Sequence, residues 1–321
     1  MKQPLRILFM GTPDFAVPSL TSLLGWDGCR VVAVVSQPDR PRGRGRKLVP
    51  TPVKQTALAA KIPVLQPEKI RTDEFLQTLA AFSPDILVVA AYGRILPASL
   101  LSLPPQGVIN VHGSLLPKYR GAAPIQWAII RGERETGVTI MEVVQEMDAG
   151  DILLTRTLSI TDTDTAGTIF RRMARLGGEA LVEALELLRQ GKLVSQPQDH
   201  TLATEAPPLT KKDGLVNWAR PAWEISCQVR GTDPWPGAYT FTPDGRMLKL
   251  FSPVVTMQAA TEARPGTVMA VIADGLAVAT GDTLLCFREV QPQGKRRMSA
   301  ADWVNGRGIE IGDRLVSESA P

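Results

Sequence analysis

The feature that most restricts the fold is an alternation between Arg6 and Val111. Short apolar, β-branched runs recur at Arg6–Met10, Val31–Val35, Ile62–Leu65, Ile86–Ala90 and Val108–Val111, each with the length and composition of a buried strand. Helical stretches separate them at Phe15–Leu24, Val53–Ala60 and Glu74–Ala81. Pro18 falls in the first turn of its helix, where it is tolerated. Strands that alternate with helices pair in parallel through right-handed crossovers. The expected class is α/β, with a Rossmann-like, open, parallel-rich sheet. The turn after the first strand, Gly11-Thr-Pro-Asp14, carries one glycine and no Gly-x-Gly-x-x-Gly, so a nucleotide-like fold without a dinucleotide is expected.

Farther along, the pattern changes twice. Ala166–Gln190 places Ile169, Met173, Leu176, Ala180, Ala184 and Leu188 on one apolar stripe, the mark of a long amphipathic helix, and Gly191 with Lys192 ends it. Residues 193–209 are polar and contain prolines, as linkers do. Beyond them, Ala238–Thr242, Met247–Ser252, Thr267–Ile272, Leu276–Thr280 and Leu284–Val290 are short strand-like runs, with turn signals at Ala273-Asp-Gly275 and Gly281-Asp282. Short, closely spaced strands suggest a small barrel. The expected division is a sheet domain over 1–192, a linker over 193–209 and a β-barrel domain over 210–321.

Composition removes several classes. The 321 residues suffice for two domains. Cys29, Cys227 and Cys286 have no paired spacing, and the histidines are His112 and His200 alone, so neither a disulfide framework nor a metal site is expected. No apolar run approaches the roughly 18 residues a membrane helix needs, and Leu5–Met10 is too short for the core of a signal peptide. A cytoplasmic monomer without a membrane partner is expected. A net charge of +4 and a pI near 9.0 permit an anionic partner without demanding one.

Chemistry concentrates between Gly107 and Asp151. Asn110 and His112 stand two apart at the carboxyl end of the Val108–Val111 strand and therefore share a face. Open α/β sheets bind ligands outside the carboxyl ends of their strands. A lone His at a strand end is more often a hydrogen-bonded structural residue than a catalyst, but three neighbours favour a site. Gly113, Pro117 and Gly121 punctuate an irregular loop. That loop carries Lys118-Tyr-Arg120, and Asp148 follows another strand-like run, Gly137–Val144. A carboxylate that orients an imidazole and balances its charge is the usual partner of a working His.

A second feature lies between the second strand and the next helix. Gln37–Leu48 sets Arg40, Arg42, Arg44, Arg46 and Lys47 against one acid, Asp39, and its prolines and glycines argue against regular structure. Most charge runs are solvated surface. This one concentrates cations on a glycine-hinged segment, which suits a phosphate backbone. Lys295, Arg296 and Arg297 form another basic cluster after the last barrel strand, with a solvated turn as the plain alternative.

Asn110-Val-His112, Ser114-Leu-Leu-Pro117, Arg120-Gly-Ala-Ala-Pro124 and Asp148-Ala-Gly-Asp151 resemble the motifs of the formyltransferases that use 10-formyltetrahydrofolate. The likeness to their methionyl-tRNA branch runs from Arg6–Phe15 to Met298-Ser-Ala300. The resemblance implies transfer of a formyl group from 10-formyltetrahydrofolate to the α-amine of initiator methionyl-tRNA. Asn110, His112 and Asp148 would be catalytic, and Ser114, Leu115, Leu116 and Pro117 would contact the folate. In that reaction an amine attacks a formyl carbon and an oxyanion develops. Asn110 can donate to it without titrating, His112 can donate or accept, and Asp148 can share in proton transfer. Oxyanion donors contribute roughly 2.7–4 kcal/mol each, and neither a metal nor a covalent intermediate is required.

The same resemblance implies an OB-like barrel and makes Gln37–Leu48 a tRNA-acceptor loop, with Arg44 at the position used most directly. Arg40, Arg42, Arg44, Arg46, Lys47, Lys295, Arg296 and Arg297 are the expected tRNA contacts. Glu205-Ala-Pro-Pro208-Leu209 departs from the family's Tyr-Ala-Pro-Lys-Leu at the linker exit, where Lys211 and Lys212 can substitute. Two other readings stay open: a related formyltransferase with another acceptor (glycinamide ribonucleotide, an amino sugar or water), and a non-catalytic RNA-binding protein. The basic insertion and the barrel favour tRNA over the first. The intact Asn110, His112 and Asp148 set weighs against the second.

Overall fold

The computed structural model describes residues 3–42, 47–260, 263–272 and 275–317. The chain divides into two compact units, one of Met1–Pro124, Glu135–Ser159 and Phe170–Ala206, the other of Ile125–Arg134, Ile160–Ile169 and Pro207–Pro321.

The first unit begins with β1 (Leu5–Gly11), α1 (Ala16–Leu24), β2 (Cys29–Val35), β3 (Arg40–Arg42), β4 (Lys47–Val49), α2 (Pro52–Ala59), β5 (Val64–Leu65) and α3 (Asp73–Ala80). It continues through β6 (Ile86–Ala90), α4 (Ala98–Leu101), β7 (Val108–His112) and β8 (Arg120–Gly121). After α5 (Pro124–Ile130), which runs into the second unit, come β9 (Glu135–Glu142), β10 (Ile152–Ser159), α6 (Ala166–Gln190) and β11 (Glu205–Ala206). The main sheet runs β10-β9-β7-β6-β1-β2-β5. Strands from β5 to β7 are parallel, and β9 runs antiparallel to both β7 and β10. The predicted strands and helices are present. The fifth strand pairs over Val64–Leu65 alone, because the Ile62 N–H closes α2 by donating to the Ala57 carbonyl at 2.9 Å.

One sheet face buries Leu8, Met10, Val35, Leu87, Val89 and Val108 against Phe75, Leu79 and Leu100 of α3 and α4. On α6, a Cβ at Gly177 would lie 2.8 Å from a Val111 methyl, and one at Gly178 would lie 2.9 Å from the Pro18 carbonyl oxygen. Mid-helix glycine costs about 1 kcal/mol against alanine. Here it lets α6 sit close on β7 and α1, so the strand that carries Asn110 and His112 is backed by a helix at minimum separation.

The basic segment differs from expectation. Its arms are regular: β3 and β4 pair antiparallel, with Arg40 opposite Val49, Pro41 opposite Leu48 and Arg42 opposite Lys47. Each arm of a two-stranded ribbon has one open edge, and a proline facing that edge removes no ladder bond. Arg44 and Arg46, with Gly43 and Gly45, lie outside the described residues. Asp39 is engaged elsewhere. Its carboxylate accepts from Lys54 Nζ at 2.6 Å and Gln66 Nε2 at 2.6 Å, and these bonds hold its carboxyl below the usual range. Toward the end of the unit, Gln196 exchanges backbone bonds with Ile152 at 2.8 and 2.9 Å, and β11 pairs with β8.

The second unit contains a 3-10 turn at Lys211–Gly214, α7 (Ala222–Thr232), β12 (Tyr239–Phe241), β13 (Met247–Ala259), β14 (Val268–Ile272), β15 (Gly275–Ala279), β16 (Thr283–Pro292), β17 (Met298–Ser299) and α8 (Ala300–Asn305). The strands order as β12-β13-β16-β15-β14, antiparallel throughout. β13 continues past the predicted Ser252 to Ala259, with Pro253 in register with Phe287. The last described segment joins the outer strands: Val316 bridges Phe241 on β12, and Arg314 bridges Thr267 at the start of β14. Inside, Trp218 meets Phe287 edge-on at 5.8 Å among buried Leu248, Leu276, Leu285 and Trp303. Trp218 Nε1 donates to Thr240 Oγ1, which donates on to the Val316 carbonyl, at 3.0 and 2.9 Å.

Arg297 stacks over Phe251, 3.9 Å from the ring centre, and pairs with Glu289 and Asp233 at 2.5 and 3.7 Å. The Arg297 hydrogen bond, helped by Ser252, holds Glu289 below the usual carboxylate range, while burial pushes Asp233 up. A carboxyl lowered in the folded state contributes stability above its unfolded pKa and loses it as pH falls through the folded one. A raised carboxyl such as Asp233 does the opposite. Acidification below the ordinary glutamate pKa of about 4.3 therefore strips the Glu289 contribution, and Glu289→Gln flattens that part of the profile. Melting temperatures at stepped pH check this; parallel wild-type and variant curves through the acid range would refute it.

Candidate active site

Asn110 and His112 occupy the carboxyl end of β7. Asn110 lies opposite Val89 on β6 and Met141 on β9, and His112 lies opposite Thr139 on β9. The Asn110 side chain is half-buried and makes no hydrogen bond among the described residues, so its amide is available to donate. His112 is buried at 5 % exposure. Its Nε2 lies 3.0 Å from the Tyr119 carbonyl. A carbonyl only accepts, which assigns a proton to that nitrogen. Nδ1 faces Asp148 Oδ2 at 3.7 Å, beyond hydrogen-bond range. Proton exchange at this ring is thereby directed to the Nδ1 side.

Two residues around His112 sit in left-handed backbone, Tyr119 at φ +63° and Asp148 at φ +51°. Such conformations cost about 1–3 kcal/mol each and persist where the surroundings over-determine them. The surroundings here are specific. The Tyr119 N–H donates to Thr204 Oγ1 at 2.9 Å, and the Arg120 N–H donates to the Thr204 carbonyl at 2.8 Å. The Gly121 N–H donates to Asp148 Oδ2 at 2.8 Å. Gly121 has φ +121°, and a Cβ there would stand 2.8 Å from the Ala206 carbonyl oxygen, so this turn requires glycine.

Between His112 and Tyr119 runs the segment expected to contact a folate, Ser114, Leu115, Leu116 and Pro117. Ser114 Oγ donates to the Lys118 carbonyl at 2.6 Å. Thr139, fully buried, donates to the Ser114 carbonyl at 2.7 Å and accepts from the Leu116 N–H at 3.1 Å. These two backbone groups are therefore engaged within the fold. Leu116 is buried, whereas Leu115 and Pro117 are half-exposed. Thr139 did not stand out in sequence because its role depends on cross-strand register. Thr139→Val leaves a buried carbonyl and a buried N–H unpaired, each at about 1–3 kcal/mol. The expected outcome is a melting temperature lowered by several degrees and a folate KM raised about tenfold for each 1.4 kcal/mol felt by the bound loop. An unaltered KM in steady-state kinetics would remove Thr139 from the site.

The loop after β6 carries no motif in sequence. It lies at the carboxyl end of the strand next to β7, with Ala91 at φ +46°, Gly93 at φ +80° and Ile95 at 61 % exposure. The Tyr92 carbonyl accepts from Thr12 Oγ1 at 3.2 Å and Gln37 Nε2 at 2.8 Å. Ile95 thus presents an exposed apolar side chain on the loop that leaves the carboxyl end of β6. Arg40 is exposed and donates to Gln37 Oε1 at 3.0 Å. Arg42 and Lys47 are placed by backbone pairing in the ribbon. In the second unit, Lys295 and Arg296 are exposed, and Arg297 is held by Phe251, Glu289 and Asp233 as described.

Residues 5–185 match the family model described as formyl transferase, and residues 208–308 match the formyl transferase C-terminal domain. A methionyl-tRNA formyltransferase of Desulfotalea psychrophila is 54% identical over 308 residues, covering 96% of this chain and 94% of its own. One of Geobacter sulfurreducens is 47% identical over 311 residues, covering 97% and 96%. Among solved structures, HypX from Aquifex aeolicus in complex with tetrahydrofolic acid aligns with a TM-score of 0.63 at 18% identity, over 96% of this chain and 48% of that one. The sugar 3N-formyl transferase WlaRD, crystallised in the presence of dTDP and 5-N-formyl-THF, aligns at 0.67 and 16% identity, over 92% and 100%. These two show a shared fold. With both family models matched in sequence order and relatives this similar over nearly their whole length, the chain belongs to the formyltransferase family.

Proposed function

We propose that the chain transfers a formyl group from 10-formyltetrahydrofolate to the α-amino group of methionyl initiator tRNA, for translation initiation. The observation that carries the reading is the meeting of Asn110, His112 and Asp148 at the carboxyl end of β7, in a chain whose similar relatives are named methionyl-tRNA formyltransferase. The half-exposed Leu115 and Pro117, with exposed Ile95, fit the flat apolar faces of a folate. When bound, the folate supplies a formyl carbon on nitrogen; one C–N bond to the acceptor amine forms, the C–N10 bond breaks, and the amine's proton ends on the departing nitrogen.

The residues divide that work by their chemistry. Asn110 offers a neutral N–H to the oxygen on which charge grows. His112 stands beside it with Nδ1 turned toward Asp148. Asp148, fixed by the Gly121 N–H, balances charge on that ring and can relay the amine's proton. We assign catalysis to residues 1–192, connection to 193–209 and capture of RNA to 210–321, together with Arg40, Arg42, Arg44, Arg46 and Lys47. Lys295, Arg296 and Arg297 are the assigned barrel contacts, Arg297 through the part of its guanidinium left over from Glu289 and Asp233. The protein is proposed to act as a cytoplasmic monomer; no helix among the described residues is long and apolar enough to cross a membrane.

The test is formyl transfer and formate release from 10-formyltetrahydrofolate, with and without charged initiator tRNA. Formyl-methionyl-tRNA formed in proportion to donor consumed supports the reading. Equal consumption without tRNA, or transfer to a small amine instead, overturns it. The chemistry assigned to these side chains needs neither metal nor nicotinamide, so a chelator is expected to leave the rate unchanged. Activity abolished by the chelator and restored by zinc would contradict that expectation.

A further inference from the structure

Gln198 lies in the segment between α6 and β11, where sequence shows polar connecting chain. It is nevertheless buried, at 5 % exposure. Both of its amide hydrogens and its carbonyl oxygen are used. Nε2 donates to the Asp148 carbonyl at 2.8 Å and to the Gly150 carbonyl at 2.6 Å. Oε1 accepts from Arg120 Nε at 3.2 Å and Nη2 at 2.7 Å. The opposite flip of the amide would set oxygen against two carbonyls and NH₂ against a guanidinium, so the orientation is determined by its partners.

These bonds close a ring. Arg120 continues directly into Gly121, whose N–H holds Asp148 Oδ2 at 2.8 Å. Asp148 is thus gripped twice, by its carboxylate through Gly121 and by its backbone carbonyl through Gln198, and the two grips are joined through Arg120. The left-handed φ of +51° at Asp148 needs such support, because an aspartate released from it relaxes toward the ordinary basins and swings its carboxylate away from His112. Arg120 is steadied in turn by His200 Nδ1 at 3.1 Å and Glu146 at 3.8 Å.

We propose that Gln198 is a positioning residue for the reaction, setting the direction of the Asp148 carboxylate toward His112 from outside the reacting centre. The inference rests on the role given to Asp148 above. Gln198→Met keeps the volume and removes all four bonds. Gln198→Glu keeps a partner for Arg120 but places oxygen against the carbonyls of Asp148 and Gly150. Each is expected to lower kcat by about 10²-fold, the size expected for a misplacement near 1 Å, with little change in KM for folate or tRNA.

The deciding measurement adds Asp148→Asn. If Gln198 acts through Asp148, the double variant is no slower in single turnover than Asp148→Asn alone. If Gln198 merely supports the fold, the losses multiply, and the inference is overturned. Near-wild-type kcat in both Gln198 variants overturns it as well. Should Gln198→Met melt at assay temperature, Gln198→Glu, which retains the Arg120 pair, carries the same comparison. A fully active Asp148→Asn would instead overturn the role of Asp148, and so separates failure of that reading from failure of this one.

Discussion

Asn110→Ala is expected to reduce turnover by about 10²–10³-fold, the loss seen when one oxyanion donor is removed. His112→Ala and Asp148→Ala are expected to reduce it by about 10²–10⁴-fold, the range of positioned acid–base groups. The difference follows from geometry. Among the described residues the Asn110 amide makes no internal hydrogen bond, so its loss deletes one donor and breaks no bond of the fold there. His112 and Asp148 are tied into the Tyr119–Gly121 turn, so their removal also loosens the loop behind them. Asp148→Asn isolates the charge, because its oxygen can still accept from the Gly121 N–H. Single-turnover rates with saturating folate and charged tRNA, beside circular dichroism and melting temperature, make the check. Retention of near-wild-type kcat by any of the three alanine variants would sink its assignment, as would a loss explained wholly by unfolding.

The second large effect is expected from the basic ribbon. Arg44→Ala should lower kcat/KM for charged initiator tRNA and leave folate affinity intact. Each lost phosphate contact reduces the salt slope by about one unit. Asp39 is held by Lys54 and Gln66, so the one acid of the segment is not available to offset the arginines. Arg44→Lys should rescue only in part, since an ammonium cannot hold a phosphate bidentately or stack on a base as a guanidinium can. Deleting Arg40–Lys47 should exceed any single change. Measurement of kcat/KM at several salt concentrations decides; an unchanged slope in Arg44→Ala would return the segment to ordinary solvated surface.

The legible parts of the fold are those whose residues answer to local rules. Strands such as β6, buried on both faces, read as unbroken apolar runs, and α6 shows its stripe over many turns. β10 is not legible as a strand because its Ile152–Ser159 run is half-exposed at the sheet edge and mixes Leu with Thr and Arg. The ribbon looks irregular in sequence because proline and glycine counts do not say which edge a proline faces. The placement of Asn110 and His112 on one strand end, with Asp148 near His112, is legible because strand parity and motif give it. Thr139 and Gln198 are not, since one works through register across β7 and β9 and the other through a fold of chain returning from beyond α6. Side chains that hold a site in shape carry no spacing of their own.

The bridges from Arg314 and Val316 to the two outer barrel strands bear on how the chain can be handled. A truncation that ends at Gly312 unpairs Phe241 on β12 from Val316 and the Val268 N–H of β14 from the Asp313 carbonyl, and edges opened in this way are templates for pairing between molecules. It also leaves Thr240 Oγ1 without the Val316 carbonyl and uncovers the wall that Leu315 seals. A shortened chain of this kind would therefore be lost first to aggregation rather than to impaired chemistry. A purification tag belongs beyond Ser317, where it can extend the closing segment without replacing it.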